Sequence, residues 1–169
     1  WEDPYSELAN SDVLVGPPIV LGDGASLHPG QGNPVTLRDW LVHLHPDSDN
    51  VWADVVSEFY AAAGRNPVIA DYFDGTDMAA LQRHFLSALM ILTGSGLTVG
   101  TYRRMRVKHA DVRNVMGEGI TSGTYDAAIE VLVEILRRKK VPSATLRQVG
   151  FLLASLRGAI VVHAEPRTG

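Results

Sequence analysis

The chain contains no cysteine. Disulfides, thiolate metal sites and thiol nucleophiles are therefore excluded, while the absence is neutral about compartment. No apolar run reaches the roughly 18 residues of a membrane-spanning helix, so no membrane span is expected. Positive charge is in short supply: 15 Lys and Arg stand against 19 Asp and Glu, for a net charge of −4 and a pI near 5.8. A nucleic-acid or anionic-membrane role needs a positive field that this balance does not provide. Strand-like alternation does not persist anywhere, and no repeat is visible. The signatures HExxH, GxSxG and GxGxxG are missing, as are the Glu-x-x-His pairs of di-iron bundles. The stretch TGSGLTVGT (93–101) has glycines, but it follows a helix and lacks the Lys-Ser/Thr end of a phosphate-binding loop.

What remains is a chain of 169 residues, 46% hydrophobic and 20% charged. That length suits one soluble domain with a sizeable core. The chain begins at Trp1, as a processed, trimmed or excised chain would, and no signal peptide is read in it. Residues 1–34 hold five of the nine prolines and five of the sixteen glycines. They are expected to form an irregular extension, with the short apolar patches Val13–Val15 and Ile19–Leu21 able to lie across a core.

From residue 35 the apolar spacing is helical. Val35–Leu44 is a short helix candidate, followed by a turn and N-cap signal over Pro46–Asp49. Val51–Ala63 carries Trp52, Val55, Val56, Phe59, Tyr60 and Ala63 on one face, and Gly64, Asn66 and Pro67 end it. A short turn over Val68–Phe73 closes at Asp74-Gly75. Thr76-Asp77 caps a helix over Met78–Leu92, striped by Leu81, Phe85, Leu89 and Leu92. Thr124 with Asp126 opens a helix to Arg138, and Pro142-Ser143 starts a last one to about Val162. In that last helix Gly150 and Gly158 are places where another helix can approach closely. The tail 164–169 is polar. Five or six helices with short connections give an all-α fold of packed antiparallel neighbours.

Between the third and fourth of these helices lies the most informative stretch, Tyr102–Met116 (YRRMRVKHADVRNVM). At helical spacing Met105, His109, Val112 and Met116 share one face, opposite Arg103, Arg104, Arg106, Lys108, Asp111, Arg113 and Asn114. A histidine inside the only apolar stripe of a polar helix is either a satisfied core side chain or a ligand aimed at something held in the fold. The basic face is either solvated or paired with an anionic group at a pocket rim. His84, at the edge of an apolar stripe, is the other histidine of interest. His43 and His45 point to different faces of a surface helix, His28 falls in a Gly/Pro-rich loop where it is expected to be solvated, and His163 lies near a frayed end.

In order and spacing, residues 51–162 resemble the truncated haemoglobins, most of all the group I two-over-two globins. The matching pieces are VVSEFYAAAGRNPVIADYFDGTDMAAL, LQRHFLSAL, MRVKHADV with the family's M-x-x-x-H, and GITSGTYDAAIEVLVEIL. VPSATLRQVGFLLASLRGAIV follows, with Lys140-Val141-Pro142 standing for a G-V-P link. The resemblance implies a globin-like two-over-two helical sandwich over 35–163, between the 1–34 extension and the 164–169 tail. It implies haem b, with His109 as the proximal iron ligand and His84 as a candidate distal one. Phe73, Leu81, Phe85, Tyr102, Arg103 and Arg106 would contact the haem, and Tyr60, Leu81, His84 and Phe85 would line the distal pocket. The implied function is binding of a diatomic gas (oxygen, nitric oxide or carbon monoxide). Nitric oxide dioxygenase and peroxidase-like redox activity are candidate reactions, which leaves open whether the chain is an enzyme. An electron-donating reductase or fused reductase module is a candidate partner, and a cytoplasmic location is expected. The alternative is a non-haem globin-like sensor or interaction domain in which His109 is only packed.

Overall fold

A computed structural model describes residues 14–16, 19–20, 35–114 and 116–161. His28, His163, the polar tail and most of the N-terminal extension lie outside the described residues. Six helices account for most of the remainder: α1 Leu37–Leu44, α2 Val51–Ala63, α3 Met78–Gly94, α4 Val99–His109, α5 Ser122–Arg138 and α6 Ser143–Ile160. A 3-10 turn over Ala70–Tyr72 links α2 to α3.

The helices begin where side chains can satisfy the first free amides. Asn50 accepts from Ala53 N and Asp77 accepts from Ala80 N, both at 3.1 Å. Thr36, Thr98 and Thr121 do the same for α1, α4 and α5. The cap of α2 is thus Asn50, one residue beyond the expected Pro46–Asp49 signal. The cap of α5 is Thr121, ahead of the expected Thr124. The sixth helix starts after Pro142, whose fixed φ suits an entry position.

Two helix pairs make the body. α2 packs on α3, α5 packs on α6, and α2 also crosses onto α5, while α1 and α4 close the flanks against α3 and α6 respectively. The core between them is apolar. Trp52, Val55, Leu37, Leu41, Leu97 and Ile135 are fully buried, joined by Val56, Leu132, Leu136, Val149, Leu152 and Leu156. Trp52 also donates its indole N–H to the Arg38 carbonyl at 3.1 Å, so its one polar atom is satisfied at the edge of the core. The end of α5 is a junction. Lys139 accepts a hydrogen bond from His45 Nε2 at 2.9 Å through its carbonyl and pairs its ammonium with Glu58 at 2.9 Å. His45 is therefore not a surface helix residue; it lies just past α1 and ties that helix to α5.

The second N-terminal patch reaches the core through Ile19. Ile19 is 2% exposed. Val20 is held from both sides by the Gln148 amide, with Gln148 Oε1 accepting from Val20 N at 3.0 Å and Nε2 donating to Val20 O at 2.7 Å. Strand β1, Leu14–Gly16, pairs antiparallel with β2, Leu97–Thr98, in the short link between α3 and α4. These strands of three and two residues are too short to leave an alternating pattern in the sequence. No helix among the described residues is long and apolar enough to cross a membrane.

Candidate functional site

The stretch around His109 differs from its expected form. The helix does not run from Tyr102 to Met116; α4 starts earlier, at Val99, and stops at His109 itself. The rest folds back as a compact loop. Arg113 Nη1 donates to the Ala110 and Val112 carbonyls at 3.2 and 2.9 Å, taking up the cap carbonyl of the helix and one of the loop. Asn114 Oδ1 accepts from the Met116 and Glu118 amides, both at 2.9 Å, and Gly117 turns the chain with φ +79. The four-residue apolar stripe is therefore broken. Met105 packs against the core and His109 is half-buried, but Met116 is 76% exposed.

His109 is oriented from within its own helix. Its Nδ1 lies 2.7 Å from the Met105 carbonyl oxygen, one turn back. A carbonyl can only accept, so Nδ1 carries the proton and Nε2 keeps its lone pair. Burial lowers the imidazole pKa below its usual 6.5, opposed by the Met105 hydrogen bond and helped by nearby Lys108. The ring is thus a neutral base with one ligating nitrogen free, fixed in direction at a helix end. Among the described residues no three His, Cys, Asp or Glu side chains converge on a metal site.

A second group forms where α2, the turn before α3, and α3 meet. Tyr60 stands edge-on to three rings: Phe59 at 5.2 Å between centroids, Phe73 at 5.3 Å and Phe85 at 5.9 Å. Phe59 and Phe85 complete the cluster at 4.8 Å. Edge-to-face packing places the positive rim of one ring on the negative face of the next. The Tyr60 hydroxyl makes no hydrogen bond among the described residues, and burial raises its pKa to about 12. It remains a protonated donor without an acceptor among the described residues. Tyr60, Phe73 and Phe85 are thus brought together as a set. Phe59, read beforehand only as part of a core stripe, belongs to it as well.

The remaining candidates are placed as follows. Leu81 is half-buried on α3, and His84, one residue before Phe85, is exposed. Arg103 is half-buried and Arg104 reaches Thr101 Oγ1 at 3.4 Å. Arg106 Nη1 donates to the Gly158 carbonyl on α6 at 2.9 Å, and the Tyr102 hydroxyl lies against the same Gly158. Tyr72 connects the two halves of the site. Its hydroxyl donates to the Gly119 carbonyl at 2.8 Å, fastening the turn that holds Phe73 to the loop that leaves His109. Neither Tyr72 nor the orienting Met105 carbonyl had a signal in the sequence, since a backbone acceptor has no residue type. A surface groove of about 400 Å³ lined by Asn50, Leu86, Ser87, Met90 and Ile91 involves none of these residues.

No family model matches the chain, and no curated protein matches it either. Solved structures do. The 2/2 hemoglobin from Synechococcus sp. PCC 7002, in the cyanomet state and with covalently attached heme, is 23% identical. It superposes with a TM-score of 0.56, over 70% of this chain and 97% of that one. A structure of Synechococcus sp. PCC 7002 globin at cryogenic temperature with heme modification gives 23% identity and a TM-score of 0.55, over 75% and 98%. The two helix pairs are therefore those of the two-over-two globin fold, the all-α architecture that the sequence resemblance implied.

Proposed function

We propose that this globin fold holds haem b, with Nε2 of His109 as the proximal iron ligand. The observation that carries the proposal is the His109–Met105 hydrogen bond. It delivers a neutral imidazole with one free nitrogen, the form in which histidine binds iron. The solved Synechococcus globins, described with heme, support the same reading.

Haem, when bound, supplies an iron with a coordination position for a diatomic gas: oxygen, nitric oxide or carbon monoxide. The protein's share is binding, orientation and polarity. Phe73, Leu81 and Phe85 offer apolar surface to the macrocycle, and Arg103 is a candidate partner for its carboxylates. Tyr60 offers a hydroxyl donor in an aromatic wall, able to polarise a guest on the distal side. His84, on the same helix as Phe85, is the alternative distal group. Nitric oxide dioxygenase or peroxidase-like activity with an electron-donating reductase, in a cytoplasmic setting, belongs to this reading as the reaction such a site could serve.

The test is an optical spectrum of purified protein with added haemin, ferric and ferrous, with and without carbon monoxide. A Soret band is expected, together with a rise in unfolding temperature that grows with haemin saturation. Wild type and His109→Ala that both stay colourless, or that take up haemin equally well, would sink the proposal. The fold would then stand as a non-haem sensor or interaction module.

A further inference from the structure

Helix α4 has 11 residues, a length at which a helix is marginal in water without tertiary support. Its two buried residues, Gly100 and Thr101, belong to its first turn. The turn that carries His109 contains exposed Arg106, Val107 and Lys108, and Val107 leaves 67% of its surface in solvent. Met105 packs on the core, and two further side chains of α4 meet at one residue of α6. Arg106 Nη1 donates to the Gly158 carbonyl at 2.9 Å. Tyr102, four residues earlier and so on the same face, sets its hydroxyl where a Cβ on Gly158 would stand, while its Cζ would be an ordinary 3.7 Å away. At Gly150, two turns back on α6, such a Cβ meets nothing within 4 Å. Within α6 the need for glycine is therefore specific to position 158.

We infer that Tyr102, Arg106 and Gly158 form a clamp that positions His109, with Arg106 acting through α6 and not on a cofactor carboxylate. His109 follows Arg106 by three residues and is the last residue of the helix. The clamp is the nearest tertiary anchor before the chain turns away. It fixes where along α6 the proximal helix sits, and with it the tilt at which Nε2 meets a metal. The assignment rests on the haem reading above, and it deepens that reading by naming residues that act through His109.

The test uses haem-loaded ferrous protein in a His84→Ala background, so that no second histidine competes. The iron–histidine stretching band is read by resonance Raman, and haemin loss to a stronger acceptor is timed. Gly158→Ala and Arg106→Met are expected to shift or broaden the band. Haemin loss should quicken by roughly two- to tenfold, the range for one net hydrogen bond. Adding Tyr102→Phe to Gly158→Ala should restore the band, because it removes the one atom that the new methyl meets. In His109→Gly with imidazole supplied in solution, the ligand is no longer tethered to α4, and the same substitutions should leave its band unmoved. A band insensitive to Gly158→Ala and Arg106→Met, or one that moves equally with untethered imidazole, overturns the clamp and leaves haem binding intact. If the wild type takes up no haemin, the haem reading falls separately. Amide exchange over Met105–Lys108 in the haem-free variants then decides the clamp: faster exchange supports it, and unchanged exchange overturns it.

Discussion

His109 Nδ1 and the Met105 carbonyl oxygen are 2.7 Å apart, so the proton of the imidazole is committed to its own helix and the other nitrogen is not. Burial, the larger influence, holds the ring's pKa below 6.5. The folded chain therefore binds fewer protons at this site than the unfolded chain does. Stability should rise with pH through the region at and below 6.5 and be lost on acidification. Urea unfolding of haem-free protein between about pH 7.5 and pH 5.5 should show a steeper loss for the wild type than for His109→Gln. Equal slopes would mean that the ring titrates freely.

Tyr60→Phe should separate stability from ligand retention. The hydroxyl has no acceptor among the described residues, so its removal should change folding free energy by no more than about 0.5 kcal/mol. In haem-loaded protein the same change should speed gas dissociation by about tenfold, the worth of one hydrogen bond of ~1.4 kcal/mol. Stopped-flow displacement measures it; an unchanged dissociation rate would remove Tyr60 from the distal role.

His84 is exposed on α3, beside a Phe85 ring that is locked at 4.8 Å against Phe59. From this exposed position the imidazole could reach a metal only if α3 shifted inward. The ferric haem-loaded protein is therefore expected to be high-spin, with a spectrum that His84→Ala leaves alone. A low-spin spectrum in the wild type, converted to high-spin by His84→Ala, would instead make His84 the second iron ligand.

Lys140 occupies a position suited to glycine. It has φ +75, and it follows α5 where Val141 N reaches back to Leu136 O at 3.1 Å. A side chain in this left-handed conformation costs on the order of 1 kcal/mol. Lys140→Gly should raise stability by about 0.5–1 kcal/mol, discounted for the freer unfolded chain. Thermal unfolding checks it, and a destabilised variant would show that the lysine side chain contributes more than its backbone conformation costs.

Helices with a continuous apolar face were legible beforehand. Trp52, Val55, Val56 and Phe59 recur at helical spacing, and the glycines and Asn66-Pro67 after them act locally. The end of α4 was not legible, because Val112 and Met116 continue the spacing by coincidence. What stops the helix is the set of hydrogen bonds made by Arg113 and Asn114. Site residues divide the same way. Tyr60, Phe73 and Phe85 could be named from their order in the chain. The destinations of Tyr102 and Arg106 depend on where α6 lies, and the sequence of α4 does not encode that. Gly158 was visible as a place for close approach, but its distinction from Gly150 is purely tertiary.

The double hydrogen bond between Val20 and the Gln148 amide spans 128 residues of sequence. Closing so long a loop carries an entropic cost that must be met before the bond can contribute anything. The α2–α3 pair can assemble from local contacts, and Leu37 N can reach Ile19 O at 2.8 Å over a short loop, but the two Val20–Gln148 bonds cannot form until α6 is in place. On a growing chain the backbone groups of Val20 therefore wait for the last described helix before Gln148 can bond them. The Val20 latch should be a late event in folding, and a chain cut short before Gln148 would leave that latch unmade.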